Sequence, residues 1–252
     1  SFIYLVLWAP AWGLALAGVV FAQAALWEFF RMAEAVSGAR MLRAPAHAAS
    51  ALLMGVALTD RYVEGTIALV LLLMLITMSQ AMSAHHDLKH YFHLCSFTLL
   101  GVIYTTIPLS IIVWVKSQPG GGPLALFTMA AVWASDSTAY FVGKAMGKHL
   151  AFPRLSPKKT WEGFAGGLLL SLIVAFVISH YYAGFDRNTW MTLAVIIATT
   201  GAFGDLVESL FKRSIAVKDS GSILPGHGGI LDRFDGLFIS SPFVFVYLLL
   251  MS

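Results

Sequence analysis

Apolar residues run along this chain in long blocks, not at the three-to-four-residue spacing of a surface helix. The blocks fall at roughly 11–30, 45–59, 65–83, 95–115, 123–143, 161–183, 190–211 and 231–251. Several approach the ~20 residues a helix needs to cross a bilayer. Lipid offers no water to satisfy backbone groups, so such runs are expected to be helices. Barrel strands would alternate with period two, and these runs do not. The second block is short and is expected to stop partway. Residues 1–8, SFIYLVLW, read as the end of one more helix. The pattern therefore predicts an all-α, polytopic integral membrane protein with about eight full transmembrane helices plus an N-terminal remnant of a ninth. It is expected to form one integrated membrane domain, with N-terminal membrane helices over 1–122 and C-terminal membrane helices with their loops over 123–252.

Composition supports this. Of 252 residues, 58% are hydrophobic and 12% charged, and mean hydropathy is +0.79. A soluble fold of this size could not hide so much apolar surface. The lone Cys95 allows no internal disulfide.

The net charge of +3 would suggest nucleic acid in a soluble protein. Here the basic residues sit in short loops, so no nucleic-acid partner is expected. They alternate along the chain. Arg31, Arg40, Arg43, Lys89, Lys144, Lys148, Arg154, Lys158, Lys159, Lys212, Arg213 and Lys218 fall in one set of loops, and Arg61, Lys116 and Arg187 in the other. Positive loops stay in the cytoplasm, so the loops around 31–44, 84–94, 144–160 and 212–230 are predicted to face it.

The acids then change the picture. Glu28 and Glu34 lie near Arg31, and pairing on the helix surface is the expectation there. Asp136, Glu162, Asp205, Glu208, Asp219, Asp232 and Asp235 all fall at predicted cytoplasmic helix ends or loops. Acids at that depth pair, line a wet cavity or bind a cation. In GAFGDLVESLFKR, Asp205, Glu208 and Lys212 share one helical face. A Glu208–Lys212 pair is expected, which leaves Asp205 in need of a partner. In GILDRFDG, Asp232 and Asp235 repeat the i, i+3 spacing, with Arg233 between them. Two such pairs on helices joined by one loop can converge, and converging carboxylates repel unless a cation lies between them. Oxygen donors favour hard cations, Mg²⁺ above all.

The joining loop carries LPGHGGI. Gly226, Gly228 and Gly229 permit turns and close backbone approach. The loop feeds a helix N-terminus, which attracts anions. Lys212, Arg213, Lys218 and His227 accompany it. Upstream, LSPKKTWEG reads as a helix start, with Ser156, Thr160 and Glu162 at its cap and Pro157 in its first turn. Lys158 and Lys159 suit capture of a phosphate there. WASDSTAYFVGK buries Asp136 between Ser135 and Ser137 in an apolar helix. His86, His90 and His93 have helical spacing, but they abut a membrane end where His is ordinary, and no zinc site is expected.

From Ser209 to Asp235 the pattern S-x-x-K-R-x-x-x-x-K-D-x-G-x-x-L-P-G-H-G-G-x-x-D-R-x-D resembles the signature of the phosphatidate cytidylyltransferase (CDP-diacylglycerol synthase) family. SPKKTWEGF, ASDSTAYFVGK and GDLVES resemble it too, so the likeness covers about 130–236. It implies that CTP and phosphatidic acid react to give CDP-diacylglycerol and pyrophosphate, a nucleotidyltransferase step in phospholipid biosynthesis. It further implies Mg²⁺, room for a second, monovalent cation such as K⁺, a homodimer, and a bacterial cytoplasmic (inner) membrane location with the site facing the cytoplasm.

The resemblance maps the metal-binding aspartates onto Asp205 and Asp232, and Asp235, one turn on, is expected to complete the metal set. Lys212, Arg213, Lys218, Asp219, Glu208 and His227 do the catalytic work. Ser156, Lys158, Lys159, Thr160, Gly226, Gly228, Gly229, Arg233 and Asp136 bind substrate. Two rivals fit less well. A CDP-alcohol phosphatidyltransferase would need D-G-x-x-A-R, which the Leu237–Ser240 stretch after Asp235-Gly236 does not supply. A cation transporter gives no reason for the basic, Gly-rich loop.

Overall fold

The computed structural model describes residues 2–83, 88–153, 155–214, 221 and 228–251. Contacts divide the chain into two compact units. The first is Ser1–Gly122 with Phe211–Phe234, and the second is Pro123–Leu210 with Asp235–Ser252.

The first unit opens with α1 (Phe2–Leu7) and α2 (Ala11–Ser37). Pro10 precedes α2 in extended backbone, and Gly38 ends it with φ 66°, donating to the Glu34 carbonyl. This is the left-handed cap that glycine makes without strain. Glu34 also accepts from the Met41 amide at 3.0 Å and pairs with Arg43 at 2.7 Å, which fixes the turn into α3 (Arg43–Val56). Next come α4 (Tyr62–Ser83), α5 (Leu88–Gly101), a π-helical turn (Val102–Thr106) and α6 (Ile107–Ser117). The wide turn falls just before Pro108, which has no N–H to give and whose ring crowds the carbonyl four residues back. Leu26, Phe30, Leu53, Met54 and Ile111 are fully buried between these helices. Ser50 with Thr106, at 3.0 Å, and Tyr62 with Ser110, at 2.8 Å, satisfy buried hydroxyls across them.

The second unit holds most of α7 (Gly121–Met146), strands β1 (Leu150–Phe152) and β2 (Ser156–Thr160), α8 (Trp161–Tyr181), and most of α9 (Arg187–Ser214) and α10 (Leu231–Met251). Its packing rests on small residues, as membrane helices often do. A Cβ on Gly167 would lie 2.7 Å from the Ser135 carbonyl, bringing α8 against α7, and one on Gly204 would overlap the Asp235 carbonyl. Trp190 is fully buried among the edges of Phe127, Phe185 and Tyr182. Pro242 lies inside α10, where the Ser240 and Ser241 hydroxyls donate to the Gly236 and Leu237 carbonyls.

Six helices among the described residues are long and apolar enough to cross a membrane: Ala11–Ser37, Tyr62–Gln80, Tyr91–Ser117, Trp161–Tyr181, Arg187–Ser214 and Leu231–Met251. Apolar side chains on α4, such as Ile67, Leu71 and Leu75, are more than half exposed, which suits a lipid surface. The expected eight full spans are therefore not found: six candidates meet both length and composition among the described residues. The block at 45–59 forms a helix of 14 residues, too short by itself. The block at 123–143 belongs to a 26-residue helix whose apolar run is broken by Ser135, Asp136, Ser137 and Thr138.

The all-α expectation holds, with one short antiparallel hairpin, β1–β2, beside the helices. Ser156 and Pro157 lie in its second strand, not at a helix start. The cap is Thr160 alone, whose Oγ1 accepts from the Gly163 amide at 3.1 Å.

Candidate active site

In the second unit, α9 and α10 lie so close at Gly204 and Asp235 that side chains one turn away are forced together. Asp205, Glu208 and Asp235 each place a carboxylate oxygen within 4.8 Å of the others. Glu208 is 1% exposed. Asp136 of α7 adds a fourth carboxylate that interacts with Asp205 and Asp235. The hairpin supplies Lys159, whose Nζ meets Asp205 Oδ2 at 2.5 Å and donates to the Ala202 carbonyl at 3.1 Å. Among the described residues, four acids gather around Lys159, and crowded carboxylates in a poorly solvated setting are costly. The donors are all hard oxygens and one is buried, so the group fits a divalent cation such as Mg²⁺.

Beside the acids opens a cavity of about 230 Å³. Asp136, Ser156, Lys158, Lys159, Thr160 and Asp205 form its polar wall. Tyr140, Phe152 and Phe164 form an apolar side. The hairpin is what lifts the lysines to this place. It is fastened by the Trp161 amide to the His149 carbonyl at 3.0 Å, and by His149 Nδ1 to Glu162 at 2.6 Å. A cation, basic side chains and a part-apolar cleft together can hold a phosphate whose remainder is oily.

The first unit carries a second constellation. Lys212 Nζ meets Asp232 Oδ1 at 2.6 Å, and both side chains are largely buried. Asp232 Oδ2 accepts from the Gly229 amide at 2.9 Å. Gly228 has φ 81°, and a Cβ there would stand 3.0 Å from the same oxygen, so both backbone and space require glycine. Arg213 and Arg233 are exposed.

Of the residues the sequence singled out, Asp136, Ser156, Lys158, Lys159, Thr160, Asp205, Glu208 and Asp235 lie in the second unit, and Lys212, Arg213, Gly228, Gly229, Asp232 and Arg233 in the first. Lys218, Asp219, Gly226 and His227 lie outside the described residues. Glu208, expected beside Lys212, joins the acidic group, while Lys212 reaches Asp232. Tyr140, Phe152 and Phe164 were missed, since single aromatics in apolar helices or in a three-residue strand carry no signal. Glu28 was misassigned. It is fully buried and accepts from the Leu231 amide at 3.0 Å, while Arg31 lies over the Trp27 ring.

A family model described as the cytidylyltransferase family matches residues 1–251. The chain belongs to the cytidylyltransferase family. Among its relatives, the phosphatidate cytidylyltransferase of Staphylococcus aureus (strain COL) is 46% identical over 156 residues, 61% of this chain and 59% of that protein. The enzyme of the same name from Staphylococcus haemolyticus (strain JCSC1435) is 44% identical over 158 residues, 62% of this chain and 60% of that protein. The match thus spans less than two thirds of the length of these relatives. Within the cytidylyltransferase family frame, the acids and lysines above occupy the half of the chain that carries the motifs.

Proposed function

We propose that this protein is a membrane nucleotidyltransferase that condenses CTP with phosphatidic acid, releasing pyrophosphate and forming CDP-diacylglycerol. The observation that carries the reading is the group of four carboxylates and Lys159 beside a part-apolar cavity, in a chain of this family.

A phosphate oxygen of phosphatidate forms the new bond to the α-phosphorus of CTP. The bond from that phosphorus to the oxygen bridging the β-phosphorus breaks, and pyrophosphate leaves with the electron pair. The nucleophile is already an anion, so it needs placement more than deprotonation. Lys158 and Lys159 offset phosphate charge at the cavity, and Ser156 and Thr160 offer hydroxyl donors. Tyr140, Phe152 and Phe164 receive the oily side of the lipid. Asp205, Glu208 and Asp235 would hold Mg²⁺, which when bound neutralises triphosphate charge and so favours the transition state. In the first unit, Lys212, held by Asp232, is a further cation that can offset phosphate charge. The bilayer would house the lipid substrate, and the positive charge of the loops supports a site facing the cytoplasm.

The test is pyrophosphate release by purified protein in detergent with phosphatidate. Turnover requiring CTP, phosphatidate and Mg²⁺ together is expected. Release without phosphatidate, or none with all three, defeats the reading.

A further inference from the structure

The first unit contains a buried acid that the proposed reaction does not use. Glu28 lies in the middle of α2, far in sequence from every motif, and is fully buried. One carboxylate oxygen accepts the Leu231 amide at 3.0 Å across 203 positions of chain. The other side of the carboxylate lies beside Gly221, where a Cβ would come 2.7 Å from the Glu28 Cδ. Burying a carboxylate without strong compensation is expensive. Leu231 opens α10, so its amide is one of the unpaired donors of a helix start, where the helix dipole also favours an anion.

We infer that Glu28 is a positioning residue: it clamps Gly221 and Leu231, and through Leu231 sets the first turn of α10, where Asp232 holds Lys212 and the Gly229 amide. The chain of contacts is short and continuous. Glu28 fixes the Leu231 amide. The next residue, Asp232, takes Gly229 on one oxygen and Lys212 on the other. A carboxylate arm from α2 thereby determines where Lys212 and the Gly229 amide stand. The inference rests on the proposed reaction for its activity readout and on geometry alone for its structural one.

The experiment compares Glu28→Ala, Glu28→Gln, Gly221→Ala and the double variant Glu28→Ala/Gly221→Ala in the full chain in detergent. Glu28→Gln keeps an acceptor and should retain kcat within about threefold. Glu28→Ala and Gly221→Ala should each lower kcat at least tenfold at similar KM for CTP. Adding Gly221→Ala to Glu28→Ala should cost little more, because the carboxylate it collides with is gone. Losses that simply multiply would overturn the clamp, as would normal kcat in folded Glu28→Ala.

Hydrogen exchange decides without substrate. Faster exchange at residues 228–232 in Glu28→Ala, with α4 unchanged, is expected, and unchanged exchange at 228–232 overturns the inference. If Glu28→Ala does not fold, Glu28→Asp, whose arm is one methylene shorter, is read in the same two ways. A wild-type protein that turns over nothing defeats the proposed reaction, while the exchange result still judges the clamp.

Discussion

Lys159 answers to two masters, Asp205 and the Ala202 carbonyl, and whatever cation joins the acids must share Asp205 with it. Two single substitutions should therefore move metal dependence in opposite directions. Asp235→Asn removes a donor and a negative charge, so the Mg²⁺ concentration for half-maximal turnover should rise. Lys159→Met removes a competitor for Asp205, so that concentration should fall. Maximal turnover should drop in both by about 10²–10³, the loss typical when one stabilising group at a transition state is deleted. Titrating Mg²⁺ at saturating CTP measures this, and a shift in the same direction for both variants removes the shared-carboxylate account. Glu208, at 1% exposure, makes a harsher case. An amide there leaves buried polar atoms to be satisfied anew, and stability should suffer along with turnover.

At the level of elements, two glycines give opposite forecasts. Gly204→Ala drives a Cβ into the Asp235 carbonyl and should destabilise by about 1–3 kcal/mol, the usual cost of overpacking. Gly55 in α3 has nothing within 4 Å of its would-be Cβ, so Gly55→Ala should stabilise by about 0.5–1 kcal/mol through helix propensity. Thermal unfolding in detergent checks both. The start of α9 adds a pH test. Asp186 accepts the Thr189 amide at 3.0 Å, and its hydrogen bonds to the Thr189 side chain and amide hold its carboxyl below the usual range. A depressed folded pKa means the stabilisation is present above the unfolded value, about 3.9, and is lost as pH falls through the folded one. The Tm gap between wild type and Asp186→Ala should therefore be full at pH 7 and close towards pH 3. A gap that widens on acidification would contradict the cap. Helices of this kind were legible because unbroken apolar length is a strong signal. The hairpin was not: strands of three and five residues are too short to show alternation, and Pro157 with Thr160 mimics a helix cap. The acids were legible as pairs, since i, i+3 spacing is local. Their regrouping into Asp205, Glu208 and Asp235 was not, because it depends on how closely Gly204 lets two backbones approach. The partner of Glu28 was out of reach for the same reason, lying 203 positions away.

For the whole molecule, the question is which helices actually cross. α7 holds Asp136 and falls outside the six apolar candidates, yet its 26 residues at ~1.5 Å each extend about 39 Å, more than the ~30 Å of a hydrocarbon core. Its interruption by polar residues is tolerable if they face other helices and a wet cavity, and Asp136 does line the cavity. Length therefore argues that α7 spans. Three helical runs separate these two positions: α4, the joined α5–π–α6 run, and α7. If all three cross, the positions lie on opposite faces, and if α7 does not, they share one. Single cysteines at Arg61→Cys and Lys148→Cys, in a Cys95→Ser background, can be probed with an impermeant maleimide on intact cells. One of the two positions should label at once and the other only after permeabilisation. Labelling of both in intact cells would leave α7 short of the far face and would put Lys158 and Lys159 on the side where no CTP is made, against both the orientation and the reaction built on it.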